Sequence, residues 1–126
     1  FNSFREEAAP YKASTDDPVA AALTEQNQTI YVVNSDALEG LDIHPGKPLL
    51  FDLSKDACDG IQTGDIALVQ AMDRDGSMTA VTIIRIFQAP DILITNRRGP
   101  NQIIHLEEQH FTCQIRGVHK RQASMG

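Results

Sequence analysis

The chain has 126 residues and a mass of 13.9 kDa, which suits one domain and is too small for two independent cores. Apolar residues make up 41% and charged residues 22%, which excludes a disordered or fibrous chain. The net charge is −6, so the chain by itself should be repelled by a phosphate backbone rather than bind DNA. Its two basic clusters, Arg97-Arg98 and His119-Lys120-Arg121, are too short to change that prediction.

No membrane-spanning or secretory segment is predicted. The longest apolar runs, residues 20–23 and 81–87, are far shorter than the roughly 18 residues that cross a bilayer. The N-terminal residues FNSFREEAAP contain acids and no apolar stretch, unlike a signal peptide. We therefore expect a cytoplasmic protein without membrane contact. The chain starts at Phe1 rather than Met, which suggests a fragment of a longer protein.

Neither a metal site nor a cofactor is predicted. Cys58 and Cys113 lack a CxxC partner and a histidine at zinc-ligand spacing. Cys113 is expected to be buried in a strand, and Cys58 to be exposed. The segment HLEEQH, residues 105–110, is expected to form an exposed corner rather than bind a metal.

Residues 1–29 predict an irregular N-terminal arm, rich in small and polar residues. Within it, Pro18 after two aspartates predicts a short helix that runs through Leu23. After the arm, β-branched and aromatic runs alternate with turns rich in Gly, Asp and Asn. The predicted strands cover residues 29–33, 49–53, 65–72, 78–87, 92–95, 103–106 and 111–119.

These seven short strands predict a mostly-β fold, either a small barrel or a set of bent sheets. Helical periodicity is almost absent from the sequence, and turn residues recur at short intervals. The domain is expected to span residues 30–122, followed by a short tail at 123–126.

Five segments follow one another in an order and at gaps typical of one family. They are DALEGLDIHPGKPLLFD, TGDIALVQA, AVTIIRIF, ILITN and FTCQIRGVHK. Over about residues 30–120 the chain resembles the C-terminal domain of LexA-like proteins, the group of LexA, UmuD and the lambdoid phage CI repressors that forms peptidase family S24. The resemblance implies the LexA-like fold, a small barrel-like arrangement of bent sheets.

Members of this family cut one bond in their own linker with a serine nucleophile and a lysine base. A lysine buried among apolar groups is deprotonated because desolvation lowers its pKa, so it can accept the serine proton. In the family pattern the serine lies nine residues before the glycine of the next turn; that glycine is Gly46 here, so the matched position is Ala37. The lysine position falls on Ile84 in VTIIRI. The resemblance therefore implies a degenerate site that does not cleave.

An active self-processing peptidase is the alternative. Ala37 could be an engineered replacement of the serine, or Ser35 could serve as the nucleophile from a shifted turn. The candidate bases nearby are His44, Lys47 and Lys55, all in polar turns where a lysine stays protonated. A turn role for Ser35 is therefore favoured. The arm also lacks the Ala-Gly or Cys-Gly bond that the family cleaves.

With the peptidase degenerate, the resemblance implies the family's other role, in which two paired chains hold two N-terminal helix-turn-helix modules over two operator half-sites. We expect a regulatory and dimerisation domain of a phage-type or bacterial transcriptional repressor, which is a homodimer and reaches DNA only through a helix-turn-helix absent from this chain. A stand-alone accessory domain similar to UmuD is a weaker alternative. The candidate dimer surface lies on the last predicted strand, at Cys113, Ile115, Arg116 and Val118.

Such a repressor would be switched by something other than self-cleavage. We expect an anti-repressor or another regulatory protein to bind in the cleft between Ala37 and Ile84. This cleft could hold the chain's own linker or a partner peptide as an added strand. Its candidate lining residues are Asp36, Leu38, Ile83 and Ile86.

Overall fold

A computed structural model describes residues 5–11, 27–74 and 80–120 of the chain. The strands in this part are β1 (Ala8–Pro10), β2 (Gln28–Val33), β3 (Pro48–Asp52), β4 (Ile66–Asp73), β5 (Val81–Gln88), β6 (Ile92–Ile94), β7 (Ile103–His105) and β8 (Phe111–His119). A 3-10 helix spans Glu39–Leu41, and one α-helix, α1, spans Lys55–Asp59. The described part contains no helix long and apolar enough to cross a membrane.

All the strands belong to one antiparallel sheet with the order β1-β2-β3-β8-β4-β5-β6-β7. Strand β4 pairs along its length with both β5 and β8, whereas β3 meets β8 at the single pair Asp52 and Val118. The sheet bends back on itself, because Glu7, just before β1, donates its backbone N–H to the carbonyl of Thr82 on β5 at 2.8 Å. The N-terminal segment therefore lies between β2 and β5.

Two clusters of buried side chains form the core, and the alternating side chains of β4 and β5 divide between them. The first cluster comprises Ala67, Val69, Ala71, Ile83, Phe87, Leu93, Ile104, Phe111 and Cys113. The second cluster comprises Ala8, Val33, Ala37, Leu38, Ile43, Leu49, Phe51, Ile66, Leu68 and Ile84. The second cluster includes both positions that the family pattern matches to catalytic residues.

The mostly-β class and the seven predicted strands are confirmed, with small shifts at their ends. The arm prediction is wrong at Ala8–Pro10, because these residues form β1 through backbone pairing with β2. The helix expected from Pro18, the start of the predicted strand at 78–79 and the tail at 123–126 lie outside the described residues.

Helix α1 is an element that the periodicity of the sequence did not predict. It has five residues, too few for a hydrophobic repeat to appear. Ser54 caps it, since the Ser54 hydroxyl accepts the backbone N–H of Ala57 at 3.1 Å. The signal in the sequence was therefore this capping serine alone.

Candidate functional site

The two positions matched to nucleophile and base lie together in the second cluster. Ala37 follows β2 in a turn and is 2% exposed, and Ile84 is in the middle of β5 and fully buried. Two of the candidate lining residues, Leu38 and Ile86, pack in the same cluster. The two positions that the sequence pattern matched therefore lie in one cluster, although they belong to distant elements. Their side chains are a methyl group and a branched hydrocarbon, neither of which can attack a carbonyl or accept a proton.

The other two candidate lining residues lie elsewhere. Ile83 belongs to the first cluster, so its assignment to the cleft is wrong. The reason is that consecutive residues of a strand point to opposite faces, and its neighbour Ile84 points towards the cleft. Asp36 is exposed at the rim, where its carboxylate lies 3.8 Å from the guanidinium of Arg97.

Asn96 holds the turn that carries Ala37. The backbone N–H of Asn96 donates to the carbonyl of Ala37 at 2.8 Å, and its own carbonyl accepts the N–H of Gly40 at 2.6 Å. A Cβ on Gly40 would lie 2.0 Å from the side-chain oxygen of Asn96, so a side chain cannot be added there without displacing the asparagine. The asparagine of the ILITN segment thus fixes the position of the matched nucleophile residue.

Ser35 has a local structural role. Its hydroxyl accepts the backbone N–H of Ala37 at 3.3 Å, the pattern of a serine turn. Within residues 5–11, 27–74 and 80–120, Ser35 forms no side-chain hydrogen bond with a lysine or a histidine. The turn interpretation of Ser35 is the one that these contacts favour.

The candidate bases for Ser35 are solvent-exposed side chains. The ammonium of Lys55 lies 2.5 Å from the carboxylate of Asp59, and this hydrogen bond raises the pKa of Lys55. A general base needs the opposite shift, because only the neutral amine can accept a proton. His44 pairs with Asp42 at 2.8 Å, and Lys47 is exposed.

The N-terminal segment packs in the same cluster as the two matched positions. Ala8 is 1% exposed and packs in the second cluster, where it pairs with Val33 of β2. The Glu7 carbonyl accepts the N–H of Asn34 at 2.7 Å, while the Glu7 N–H reaches Thr82 on the other side. Residues 5–11, which include strand β1, are therefore inserted between the edges of β2 and β5.

Acidic side chains anchor this segment to β5. The Glu7 carboxylate forms an ion pair with the guanidinium of Arg85, which is 3% exposed, and accepts the backbone N–H of Ile84 at 3.2 Å. The carboxylate of Glu6 accepts the N–H of Thr82 at 2.8 Å. The segment thus satisfies backbone groups on β5 and also a buried charge.

Arg85 links the N-terminal segment to the loop that holds the Ala37 turn. Its guanidinium donates to the side-chain oxygen of Gln102 at 2.7 Å. The backbone N–H of Gln102 donates to the hydroxyl of the fully buried Thr95 at 2.8 Å, and Thr95 directly precedes Asn96. One chain of polar contacts therefore joins the inserted segment, β5 and the turn of Ala37.

Sequence reasoning missed Glu7 and Gln102 as residues of this site. Arg85 lies in the VTIIRI segment, for which no acidic partner was predicted. A lone arginine inside an apolar strand was the available signal, because a buried guanidinium requires an acid nearby. The position of that acid could not be read from the spacing, since it lies 78 residues earlier in the chain.

The four candidate dimer residues on β8 divide into two kinds. Cys113 and Val118 are buried in the core of this chain, whereas Ile115 is half-buried and Arg116 is exposed. A bulge between the β4 pairs of Ile115 and Gly117 leaves Arg116 unpaired with β4. Of these four residues, Ile115 and Arg116 are therefore the ones accessible to a second chain.

The two thiols differ in environment. Burial raises the pKa of Cys113 to about 11. Cys58, expected to be exposed, is half-buried, and burial together with Asp52 and Asp59 raises its pKa too. Neither thiol is poised as a nucleophile, because the reactive thiolate is disfavoured at both.

Arg97, Arg98 and Lys120, the described arginines and lysine of the two clusters, have acidic neighbours. Arg98 lies 3.5 Å from Glu39, and Lys120 lies 2.5 Å from the largely buried carboxylate of Asp65. The HLEEQH corner is mostly exposed, and Glu107 pairs with Arg74 at 2.5 Å. Among the described residues no group of three or more His, Cys, Asp or Glu side chains could hold a metal ion.

The site as a whole holds the N-terminal segment against a cluster that contains two inert side chains, Ala37 and Ile84. Backbone groups of β2 and β5, the buried Arg85 and the apolar surface around Ala37 and Ile84 all contact the segment that contains Glu7 and Ala8. No family model matches the chain, and neither a curated protein nor a solved structure matches it. What the site can do is therefore inferred from these contacts and from the order of the sequence motifs.

Proposed function

We propose that the chain is a regulatory and dimerisation domain of a LexA-like transcriptional repressor, one that has kept the strand-binding cleft and has lost self-cleavage. One observation carries the proposal. Ala8 of the N-terminal segment packs in the same buried cluster as Ala37 and Ile84, the two positions matched to the catalytic pair. A substrate strand of a self-cleaving member would need this same proximity to its nucleophile and base.

The chemistry of the two positions supports loss of cleavage. Acyl transfer requires a hydroxyl that attacks and a neutral amine that takes its proton. Ala37 and Ile84 provide neither group, and the methyl and butyl side chains instead add to the apolar packing. A domain that holds a strand without cutting it functions as a binding module.

The dimerisation part of the proposal concerns Ile115 and Arg116 on β8. Both are accessible, and they line a shallow groove with Leu53 and Cys58 beside α1. An isologous contact across a two-fold axis would place this surface against its own copy. DNA would then be bound by a helix-turn-helix module of the same protein, in the cytoplasm, and an anti-repressor or other regulatory protein would act on the cleft or on the dimer surface.

Restoring the catalytic pair tests the proposal. The variants are Ala37→Ser, Ile84→Lys and the double variant, each incubated at mildly alkaline pH and analysed by intact mass. We expect the original chain and both single variants to stay whole, because each lacks a nucleophile or a base. Among these proteins the folded double variant is the one expected to cleave, at a bond other than Ala-Gly or Cys-Gly, since residues 1–29 contain neither dipeptide.

Two outcomes would contradict the proposal. Cleavage of the original chain that disappears in a Ser35→Ala variant would identify an active peptidase that uses Ser35. Cleavage of the Ala37→Ser single variant would show that a base other than residue 84 exists. Circular dichroism of each variant checks that an uncleaved protein is folded, since a lysine in the fully buried position of Ile84 is costly.

A further inference from the structure

We propose that the cleft between β2 and β5 is a receptor for an exchangeable extended peptide in which an acidic residue directly precedes a small one. The chain's own Glu7 and Ala8 occupy it until a strand of a partner protein with the same chemistry replaces them. This inference deepens the proposed function by giving the chemistry of the partner, and rests on it only for the biological use of the site. The binding itself rests on three sets of contacts.

The first set consists of backbone hydrogen bonds, which require the bound peptide to be extended. Strand β5 pairs with β6 only over Ile86–Gln88, so the edge at Thr82 is open to another strand. The inserted segment uses this edge through the Glu7 N–H and binds the edge of β2 through the carbonyl of Glu7 and the N–H of Tyr11, which donates to Ile30 at 2.8 Å. A replacement must supply the same alternating donors and acceptors, which is strand addition.

The second set is the ion pair with Arg85, which requires a carboxylate in the bound peptide. Arg85 is buried, and within the described residues Glu7 is the acid that forms an ion pair with it. A buried guanidinium that loses its acid is strongly unfavourable, so the cleft resists being left empty and favours an occupant with a carboxylate at this position. The other contacts of the guanidinium go to neutral acceptors, the carbonyl of Ile84 and the side chain of Gln102, so among the described residues its charge is compensated only by an acid in the bound strand.

The third set requires a small residue after the acid. Ala8 is packed in the second cluster and almost inaccessible, so a larger side chain would have to displace its neighbours. The following residues, Ala9 and Pro10, are exposed and impose no such limit. Selectivity therefore falls on two adjacent positions of the bound strand.

The segment buries little apolar surface, which favours exchange. Strand β1 has three residues, and Ala8 is its one buried side chain. Strand β4, in contrast, has neighbours on both sides and is buried along most of its length. Elements with little buried apolar surface open locally at a lower free energy than the core, so residues 5–11 can leave while the sheet remains folded.

A peptide titration tests the receptor. The probe is a fluorescein-labelled heptapeptide with the sequence of residues 5–11 (REEAAPY), and the receptor is the full chain with Glu7→Gln, whose own strand is weakened. Anisotropy is measured for this peptide and for versions of it with Glu7→Gln, Ala8→Leu or, as the matched control at an exposed position, Ala9→Leu. We expect the Glu7→Gln and Ala8→Leu peptides to bind at least about tenfold more weakly, and the Ala9→Leu peptide within about threefold of the original.

Equal affinity of the Glu7→Gln peptide and the original peptide would overturn the acid requirement, and so would absence of binding to a folded receptor. Hydrogen exchange on the original chain is a second test of exchange, and it does not depend on the Glu7→Gln receptor. The Glu7 amide, bonded to Thr82, is expected to exchange at least about a hundredfold faster than the Val69 amide of β4. Equal rates would mean that the segment leaves only on global unfolding, which would refute exchange.

These results separate the inference from the proposed function. A chain that selects acidic peptides and also cuts itself through Ser35 would refute the loss of cleavage and retain the receptor. A chain that never cleaves but binds the Glu7→Gln peptide as tightly as the original peptide would refute the receptor and leave the loss of cleavage intact.

Discussion

Glu7 and Arg85 form an ion pair inside the fold although 78 residues separate them in the chain. The side chain of Arg85 is 4% exposed and that of Glu7 is 15% exposed, so water screens the pair little. This contact ties a short N-terminal strand to the strand that carries the matched base position. The stability of the folded chain should therefore depend on it.

Glu7→Gln is expected to lower the free energy of unfolding by about 3 kcal/mol, because Arg85 is left buried without a counter-charge. Urea denaturation measures the loss. Glu6→Gln is the matched control; the carboxylate of Glu6 is on an exposed residue, so its loss should be under about 1 kcal/mol. Adding Arg85→Met to Glu7→Gln should restore part of the stability, and a further loss in that double variant would contradict a charge-burial origin.

Gly40→Ala is expected to destabilise the turn that carries Ala37. The new Cβ would lie 2.0 Å from the side-chain oxygen of Asn96 and 3.0 Å from its backbone oxygen, so the loop at Asn96 must move. We expect a loss of about 2 kcal/mol in urea denaturation. Combining it with Asn96→Ala removes the closest contact, so the double variant should lose less than the sum of the two single variants. Strict additivity would show that the clash is not the cause.

Cys113 should make stability fall at alkaline pH. Burial raises the thiol pKa from 9.0 to about 11, so between these values the folded state keeps a proton that the unfolded state has lost. The free energy of unfolding therefore decreases as the pH rises through this window, by about 2 kcal/mol at pH of about 11. Urea denaturation under reducing conditions compares the chain with Cys113→Ala. The difference between the two should shrink with rising pH; parallel pH profiles would contradict the prediction.

Arg116→Glu should weaken the proposed dimer, because an isologous contact brings the two new carboxylates close together across the two-fold axis. Sedimentation velocity over a concentration series is expected to show a dissociation constant at least about tenfold higher than that of the original chain. Arg98→Glu is the control, since the side chain of Arg98 is 95% exposed and lies in a different loop. A monomeric original chain, or equal effects of the two substitutions, would place the dimer surface elsewhere or remove it.

Local residue patterns were sufficient to predict the positions of most strands. Runs such as TIYVV and VTIIRIF combine β-branched residues with turn residues at both ends, and strands formed at each of the seven predicted places. Ile83 and Ile84 are adjacent in β5 and therefore point to opposite faces, so the assignment of Ile83 to the cleft beside Ile84 was inconsistent with strand geometry. Helix α1 escaped prediction because a single turn has no period.

The identities of residues 37 and 84 already determined, without coordinates, that neither position carries a hydroxyl or an amine, since a side chain's functional groups are a local property. Only the tertiary structure decided that Ala8–Pro10 would be a strand and that Arg85 would be buried beside Glu7. An Ala-Ala-Pro run has little intrinsic preference for extended structure, and its conformation comes from hydrogen bonds to two strands far away in the chain. The burial of a charge likewise depends on which distant residue arrives to neutralise it, and that is set by the packing of the whole sheet.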